Sequence, residues 1–562
     1  MATAQPKRST ADALFVGYED QENLGLRSIA AYLEAHGLES VIIPFTPENP
    51  ARVISAAKGY SPKLVGFSVI FQYTLDGFAN LAAAMRKAGI SVHFTVGGHF
   101  PSMRPREVLD ALPHVDSVVR FEGEITTLEL LQKLEQPHAW SSIMGLAFRR
   151  DSEVILNSPR PLIADLDSIP VPIRADYRYT PQGTRIASIL ASRGCHHNCS
   201  FCSIRQFYGT PPGPLRRARS PESVASEMRN LCQRDGVRFF IFQDDDFATR
   251  SKRQRRWVES FLDCLKREGL PGKIAWRIAC RVDDVDEELF SRCRDCGLVA
   301  VFLGVESGNS KGLQTLNKRV TVEDNLSAVG KLKRMGLPFE IGFMLFDPDS
   351  TVETVDDNIK FLREIAADGS CSLPFNKMLP YAGTPIETRL QKEGRLKGTL
   401  SSPDYDFLDP RLNFYAMFVS RVFRFRNFDI LGLVERLRAA RAVQLLMRAF
   451  HDASDADEYE EALLRITAKG NVAALNTLEA ALEFIAQRDL SGIVNDWHML
   501  GYLAEFEHQA EETLRRELDR VLGKHNPEML SAYQEEYSRR TSRMRPAMQL
   551  RSSSEWPPFF EQ

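Results

Sequence analysis

The chain has 562 residues, too long for one hydrophobic core and enough for roughly three to four domains. Its 71 Lys and Arg against 74 Asp and Glu leave a formal net charge of -3, which gives no reason to expect nucleic acid or an anionic membrane as partner, and no apolar run reaches membrane-spanning length. Nine cysteines, an odd number, argue against a disulfide framework, and the opening Met1–Arg8 lacks the apolar core of a secretory signal, so a reducing cytoplasmic setting is expected.

From Asp12 to Leu134, short apolar runs alternate with amphipathic helical stretches, the pattern of a parallel sheet covered by helices. Strands are predicted at Leu14–Gly17, Val41–Pro44, Leu64–Ile70 and Val92–Val96, with a fifth candidate at Ser117–Arg120. Ligands of such sheets bind beyond the strands' carboxyl ends. The loops there read Asp20-Gln21-Glu22-Asn23-Leu24-Gly25, Ser68-Val69-Ile70 and Gly97-Gly98. Glycines let a large flat ligand approach the backbone closely, and Ser68 offers a hydrogen bond. A dinucleotide site is the weaker reading, because no Gly-x-Gly-x-x-Gly follows the first strand.

The three loops resemble the cobalamin-binding domain of corrinoid enzymes, whose pattern is Asp-x-His-x-x-Gly, Ser-x-Leu and Gly-Gly. The resemblance implies cobalamin contacts at Asp20, Glu22, Gly25, Ser68, Ile70, Gly97 and Gly98. Glu22 stands where the family's histidine coordinates cobalt, so histidine-ligated binding is not expected. His99 reads equally as a cobalt ligand or as an ordinary loop histidine. Glu122, in Arg120-Phe121-Glu122-Gly123-Glu124, resembles a loop that closes over the corrin, although two acids opening a helix need only its dipole.

Ile143–Asn157 reads as a hairpin and Asp165–Tyr179 as a linker. Six further runs, Ile186–Ala191, Val237–Gln243, Ile274–Ala279, Leu298–Gly304, Phe339–Leu345 and Ser372–Met378, alternate with helical stretches and suggest a partial barrel open on one side. After the first of them comes Arg193-Gly194-Cys195-His196-His197-Asn198-Cys199-Ser200-Phe201-Cys202. Three thiols leave one position of a four-iron cluster, or of a tetrahedral zinc, without a protein ligand. The zinc alternative needs a distant fourth ligand, with His196, His197 and Cys232 as candidates.

The cysteine run resembles that of the radical S-adenosylmethionine superfamily. The resemblance implies a [4Fe-4S] cluster on Cys195, Cys199 and Cys202, with S-adenosylmethionine on its fourth iron. Asp244 and Asp245, in a loop similar to the family's Asp-Asp-x-Phe, together with Arg281 and Glu306, match positions lining the cofactor. Magnesium binding or a plain helix start is the alternative for the aspartates.

From about Gly394 apolar residues recur at helical spacing, as in Leu431–Phe450, Tyr459–Ala468 and Val472–Gln487. The expected organisation is an α/β chain with a Rossmann-like cobalamin-binding domain at 10–140, a hairpin and linker at 141–182, a partial (β/α)6 TIM barrel at 183–390, a C-terminal helical domain at 391–537 and a mobile tail at 538–562. Cys293 and Cys296 read as packing and surface thiols, and Lys252-Arg253-Gln254-Arg255-Arg256 as a solvated face. The resemblance implies a cobalamin-dependent radical enzyme that methylates carbon, or less readily phosphorus, of a small metabolite or natural-product precursor. Cyclisation, rearrangement or oxidation without methylation is the alternative. Implied partners are a small-molecule substrate and a low-potential electron donor of flavodoxin or ferredoxin type, with no nucleic acid and no membrane.

Overall fold

Two sheets whose strand ends face one another carry the molecule. The structure is a computed structural model that describes residues 10–544, except 20–21, 152, 175–176, 181–182, 248–249 and 451–452. The first sheet holds β1 (Ala13–Gly17), β2 (Ser40–Pro44), β3 (Leu64–Ser68), β4 (His93–Gly97) and β5 (Ser117–Val119), in the order β2-β1-β3-β4-β5 and all parallel. Side chains alternate between two covered faces: Leu14 and Val16 enter one apolar core, Ala13 and Phe15 the other. Ser68 lies opposite Gly97, and Gly97 opposite Val119, so the loops that follow spring from one level rim. The predicted hairpin forms as β6 (Leu146–Arg150) and β7 (Glu153–Leu156) and extends this sheet antiparallel from β5.

The second sheet has the order β15-β14-β13-β12-β9-β8. Its strands are β8 (Arg178–Tyr179), β9 (Arg185–Ile189), β12 (Val237–Phe242), β13 (Ala275–Arg281), β14 (Leu298–Glu306) and β15 (Phe339–Phe343), parallel except for β8. A small antiparallel ribbon, β10 (Ser192–Arg193) with β11 (Arg217–Ala218), stands at the mouth. Two expectations need correction. The stretch Asp165–Tyr179 is not only linker, since its end supplies the edge strand β8. The sixth run, Ser372–Met378, stays extended but joins β15's continuation through a single bridge, Phe346 to Lys377, because Pro374 cannot donate to a ladder.

Helices make up nearly all of the C-terminal part, from Arg411–Val422 to Pro527–Met544. The helix Leu433–Phe450 enters the barrel: Leu446, Ala449 and Phe450 pack on Ile186, Phe239, Ile241, Ala275 and Val299, the inward residues of four strands. Phe240 and Phe242, the outward ones of β12, belong instead to the main core. The helical part therefore plugs the barrel from the end opposite the loops that follow its strands. The expected break near Lys469 is absent, and Ala453–Ala486 is one helix. Gly470 leaves room for Leu433 there, and Asn471 donates to the carbonyls of Ala366 and Cys371 at 2.8 Å each. The helix Pro527–Met544 also runs past Ser538, where a tail was expected, since Arg540 reaches Asp429 at 2.8 Å; the remainder of that segment lies outside the described residues. Among the described residues no helix is long and apolar enough to cross a membrane.

Candidate active site

The loops after β1, β3, β4 and β5 and the mouth of the barrel enclose a cavity of about 750 Å³. Glu22, Gly25, Ser68, Ile70, Gly97, Gly98, Glu122 and Asp245 all line it, so eight sequence-selected positions meet in one place. Asp20 lies outside the described residues. The volume falls in the upper range for small-molecule sites, as a large ligand such as a corrinoid needs. His99 faces the same space with its Nε2 buried and without a partner among the described residues. Burial brings its pKa down to about 4, so the ring is neutral. These features fit the group that the sequence implies.

Gly98 has a φ of +116° and a Cβ there would meet Val69 O at 2.4 Å. Gly98→Ala is therefore expected to displace the loop between β4 and His99 and to weaken cobalamin retention about tenfold or more, read by equilibrium dialysis. Ser68 has a nearer partner than a ligand: its Oγ accepts from Asn23 Nδ2 at 3.0 Å, which fixes the first loop against the third.

Two acids expected to touch cobalamin are held by arginines. Glu22 is buried; it accepts from Arg174 Nη1 at 3.1 Å and from the backbone N–H of Ser188, on β9. Its carboxylate is thus tied to the barrel, which gives a structural reason for the residue other than cobalt. Arg174 also reaches Glu227 at 2.9 Å, and Glu227 accepts from Arg219 at 2.5 Å. Glu122 accepts from Arg193 at 2.8 Å, from Arg217 at 2.9 Å and from Ile163 N at 2.8 Å, while Glu124 accepts from Arg193 at 2.6 Å. A helix dipole alone does not account for this pair.

Arg193 leads directly into the cysteine loop. Gly194 adopts φ +85°, where a Cβ would meet Leu215 O at 1.8 Å, and its N–H donates to Asp245 at 2.7 Å. All nine cysteines are free thiols. Burial and then the Asp246 carboxylate push the Cys195 thiol up to about 12, and burial does the same for Cys202. Such thiols ionise readily only when a metal compensates them, which fits a cluster. Arg281 Nη1 lies 3.7 Å from Cys199 Sγ, and the same side chain pairs with Asp283 at 2.8 Å and donates to Lys318 O at 2.7 Å. Glu306, at φ +68°, pairs with Lys318 at 3.1 Å over Gly304 and Gly342. Cys232 cannot complete a zinc site here, since it sits near the end of helix Pro221–Asp235, just before β12 begins at the opposite end of the barrel.

The three aspartates divide the work differently from expectation. Asp244 accepts from Ala191 N at 3.0 Å and from Ser192 Oγ, behind the cavity wall, and Asp245 is engaged by Gly194. Asp246 keeps a buried Oδ1 without a partner, and its Oδ2 is 4.0 Å from Cys195 Sγ. Burial pushes its pKa up to about 7. His197, Asp246 and Asp284 bring ligand atoms within 4.8 Å of one another, but Arg281 and Lys318 stand close enough to Asp246 to lower its pKa, so the spot is not purely anionic.

Sequence reasoning expected one carboxylate of the Asp244–Asp246 loop to accept the ammonium group of S-adenosylmethionine without singling out Asp246, did not select Arg174, Arg217 or Asn23, and gave Arg193 no role. Their partners are distant in the chain, 152 positions for Arg174 and Glu22, so no local motif marks them. The one available signal was charge: arginines inside stretches otherwise read as linker and loop.

Comparison with known proteins agrees with this geometry. Residues 13–131 match the B12 binding domain and residues 189–362 the radical SAM superfamily. An uncharacterized methyltransferase of Pyrococcus horikoshii is 29% identical over 65% of this chain and 77% of its own length. The anaerobic magnesium-protoporphyrin IX monomethyl ester cyclase of Cereibacter sphaeroides is 29% identical over 68% of this chain, which spans only 61% of that protein. The structure of OxsB, a cobalamin-dependent S-adenosylmethionine radical enzyme, shares the fold over 94% of this chain and 84% of its own, with a TM-score of 0.67 at 15% identity. That likeness extends beyond both family matches into the helical part.

Proposed function

The chain belongs to the cobalamin-binding radical S-adenosylmethionine superfamily, and from this membership we propose that it transfers a methyl group to an unactivated carbon, or less readily to phosphorus, of a small metabolite or natural-product precursor. Its cofactors are cobalamin, S-adenosylmethionine and a [4Fe-4S] cluster. When bound, the cluster with S-adenosylmethionine supplies a carbon-centred radical, and the corrinoid a transferable methyl group.

One observation supports this reading above the others: the corrinoid cavity and the cysteine loop share a wall. Arg193 and Asp245 line the cavity while holding the backbone at Gly194, so a substrate there lies between the two sources of reactivity. In this reading Cys195, Cys199 and Cys202 hold the cluster. Asp246 accepts the ammonium group of S-adenosylmethionine through the oxygen that has no partner in the protein. Phe121, Phe207 and Tyr208 form an apolar cluster that keeps water from the wall between the sites. The reaction also calls for a low-potential one-electron donor of flavodoxin or ferredoxin type.

S-adenosylmethionine carrying a deuterated methyl group tests the proposal: the product should gain one labelled methyl per turnover. A product that only loses hydrogens would favour the second reading, cyclisation or rearrangement, which the similarity to the cyclase supports.

A further inference from the structure

The helix Lys252–Arg267 starts against electrostatic expectation. Its first turn holds no acidic residue, although a helix N-terminus favours negative charge, and instead carries Lys252, Arg253 and Arg255 with Arg256 just beyond. Cations are disfavoured at that end of a helix. Arg255 is offset by Asp286 at 2.7 Å, Glu288 at 3.1 Å and Glu259 at 3.3 Å. Lys252, Arg253 and Arg256 form no ion pair among the described residues; Arg256 donates only to Lys252 O at 3.3 Å. The helix stays formed through its Ser251–Gln254 capping box, so the three cations are tolerated rather than required for folding.

Their position gives them a use. The helix follows the loop of Asp246, which borders Cys195, and the outer edge of the cysteine loop, at His196 and Asn198, is exposed. Arg205 donates to His196 O at 3.1 Å, and Asn317, which holds Arg319 at 3.3 Å, donates to Asn198 O at 2.5 Å. Arg216, which donates to Ser192 Oγ at 3.2 Å and to Asp246 O at 3.4 Å, adds a third guanidinium beside the loop. The nearby acids Asp246 and Asp284 are buried, and Asp283 is occupied by Arg281 and Arg250.

We propose that this basic rim, with Lys252, Arg253 and Arg256 at its outer edge, docks an acidic-faced flavin electron carrier of the flavodoxin class against the exposed side of the cysteine loop. In the step served, the fully reduced carrier loses one electron and the cluster gains it; no bond forms or breaks. The net charge of -3 makes the rim a local feature, suited to steering an acidic protein rather than to holding a long polyanion. The inference rests on the cluster assignment and is independent of what the enzyme makes.

The test uses the reconstituted protein and its R253E/R256E variant with a bacterial flavodoxin. Oxidised flavodoxin binding is measured by biolayer interferometry, and cluster reduction by reduced flavodoxin is followed by stopped-flow absorbance over a range of salt. The variant should bind at least about tenfold more weakly and be reduced at least about tenfold more slowly at low salt, with a flattened salt dependence. Its iron content and its reduction by titanium(III) citrate should equal those of the wild type, which separates docking from folding. Equal flavodoxin binding and reduction in both proteins would overturn the proposal, as would a wild-type rim that binds transfer RNA and not flavodoxin. Failure of the cluster assignment shows separately, as a wild-type protein that takes up no iron–sulfur cluster.

Discussion

Replacing Arg193 with methionine is expected to leave a chain that assembles little or no iron–sulfur cluster. Burial works against the Arg193 charge, but the Glu124 and Glu122 carboxylates, at 2.6 and 2.8 Å, outweigh it and hold the guanidinium protonated. Methionine matches the length of the stem and removes the fork, so Glu124 loses its ion-pair partner and Glu122 keeps Arg217 and the N–H of Ile163. Breaking a buried pair in this way costs about 3–5 kcal/mol. The damage falls on the residue just before Gly194 and Cys195, so the cysteine loop loses its anchor to the loop after β5. Iron and sulfide content after anaerobic reconstitution, with the urea midpoint of the apoprotein, is the measurement. Arg193→Lys should recover only part of the cluster, because one ammonium cannot serve two carboxylates with fixed geometry. Full cluster content and an unchanged midpoint in the methionine variant would show that the anchor is dispensable.

Arg174→Met should produce the second large effect, a loss of about 3–5 kcal/mol in stability. The side chains of Arg174, Glu22 and Glu227 are each 3% exposed or less, and Arg174 is the group that separates the two carboxylates. Burial opposes the Arg174 charge, and Glu22 and Glu227 together raise its pKa above the ordinary value. Without it, Glu22 retains the N–H of Ser188 and Glu227 retains Arg219. The first loop of the cobalamin sheet then loses one of its two ties to the barrel, so cobalamin affinity should fall with stability. Urea unfolding and equilibrium dialysis of cobalamin would detect both losses. The double variant Arg174→Met with Glu22→Gln should regain part of the stability, because it removes one of the two stranded charges.

The sheets and the cysteine loop were legible because each is written locally. A parallel strand is a short apolar run, and three thiols in ten residues declare themselves regardless of the rest of the chain. Ser68, Gly97 and Gly98 were legible for the same reason, as they sit where strands end. What the sequence hid are relations between distant segments. Glu22 looked like a ligand position because its neighbours match a ligand motif, yet its carboxylate is committed to Arg174 and β9. Of the three consecutive aspartates, composition could not say that Asp244 spends both oxygens on Ala191 and Ser192, that Asp245 holds Gly194 while facing the cavity, and that Asp246 keeps a buried oxygen without a partner. The role of the helix Leu433–Phe450 was hidden as well, since the periodicity of Leu446 and Phe450 predicts a buried face and not that the face fills a barrel. Ser372–Met378 has the composition of a strand, and only Pro374 hints that it pairs poorly.

In this reading both chemistries are housed in one chain, on opposite sides of the wall formed by Glu122, Glu124, Arg193 and Asp245. The most direct measurement is anaerobic: reconstitute the protein with iron, sulfide and cobalamin, reduce it, add S-adenosylmethionine, and quantify 5'-deoxyadenosine and S-adenosylhomocysteine together. Both should accumulate, and 5'-deoxyadenosine should disappear in a Cys199→Ala control. Formation of neither by a protein carrying its full complement of cluster and cobalamin would contradict that reading.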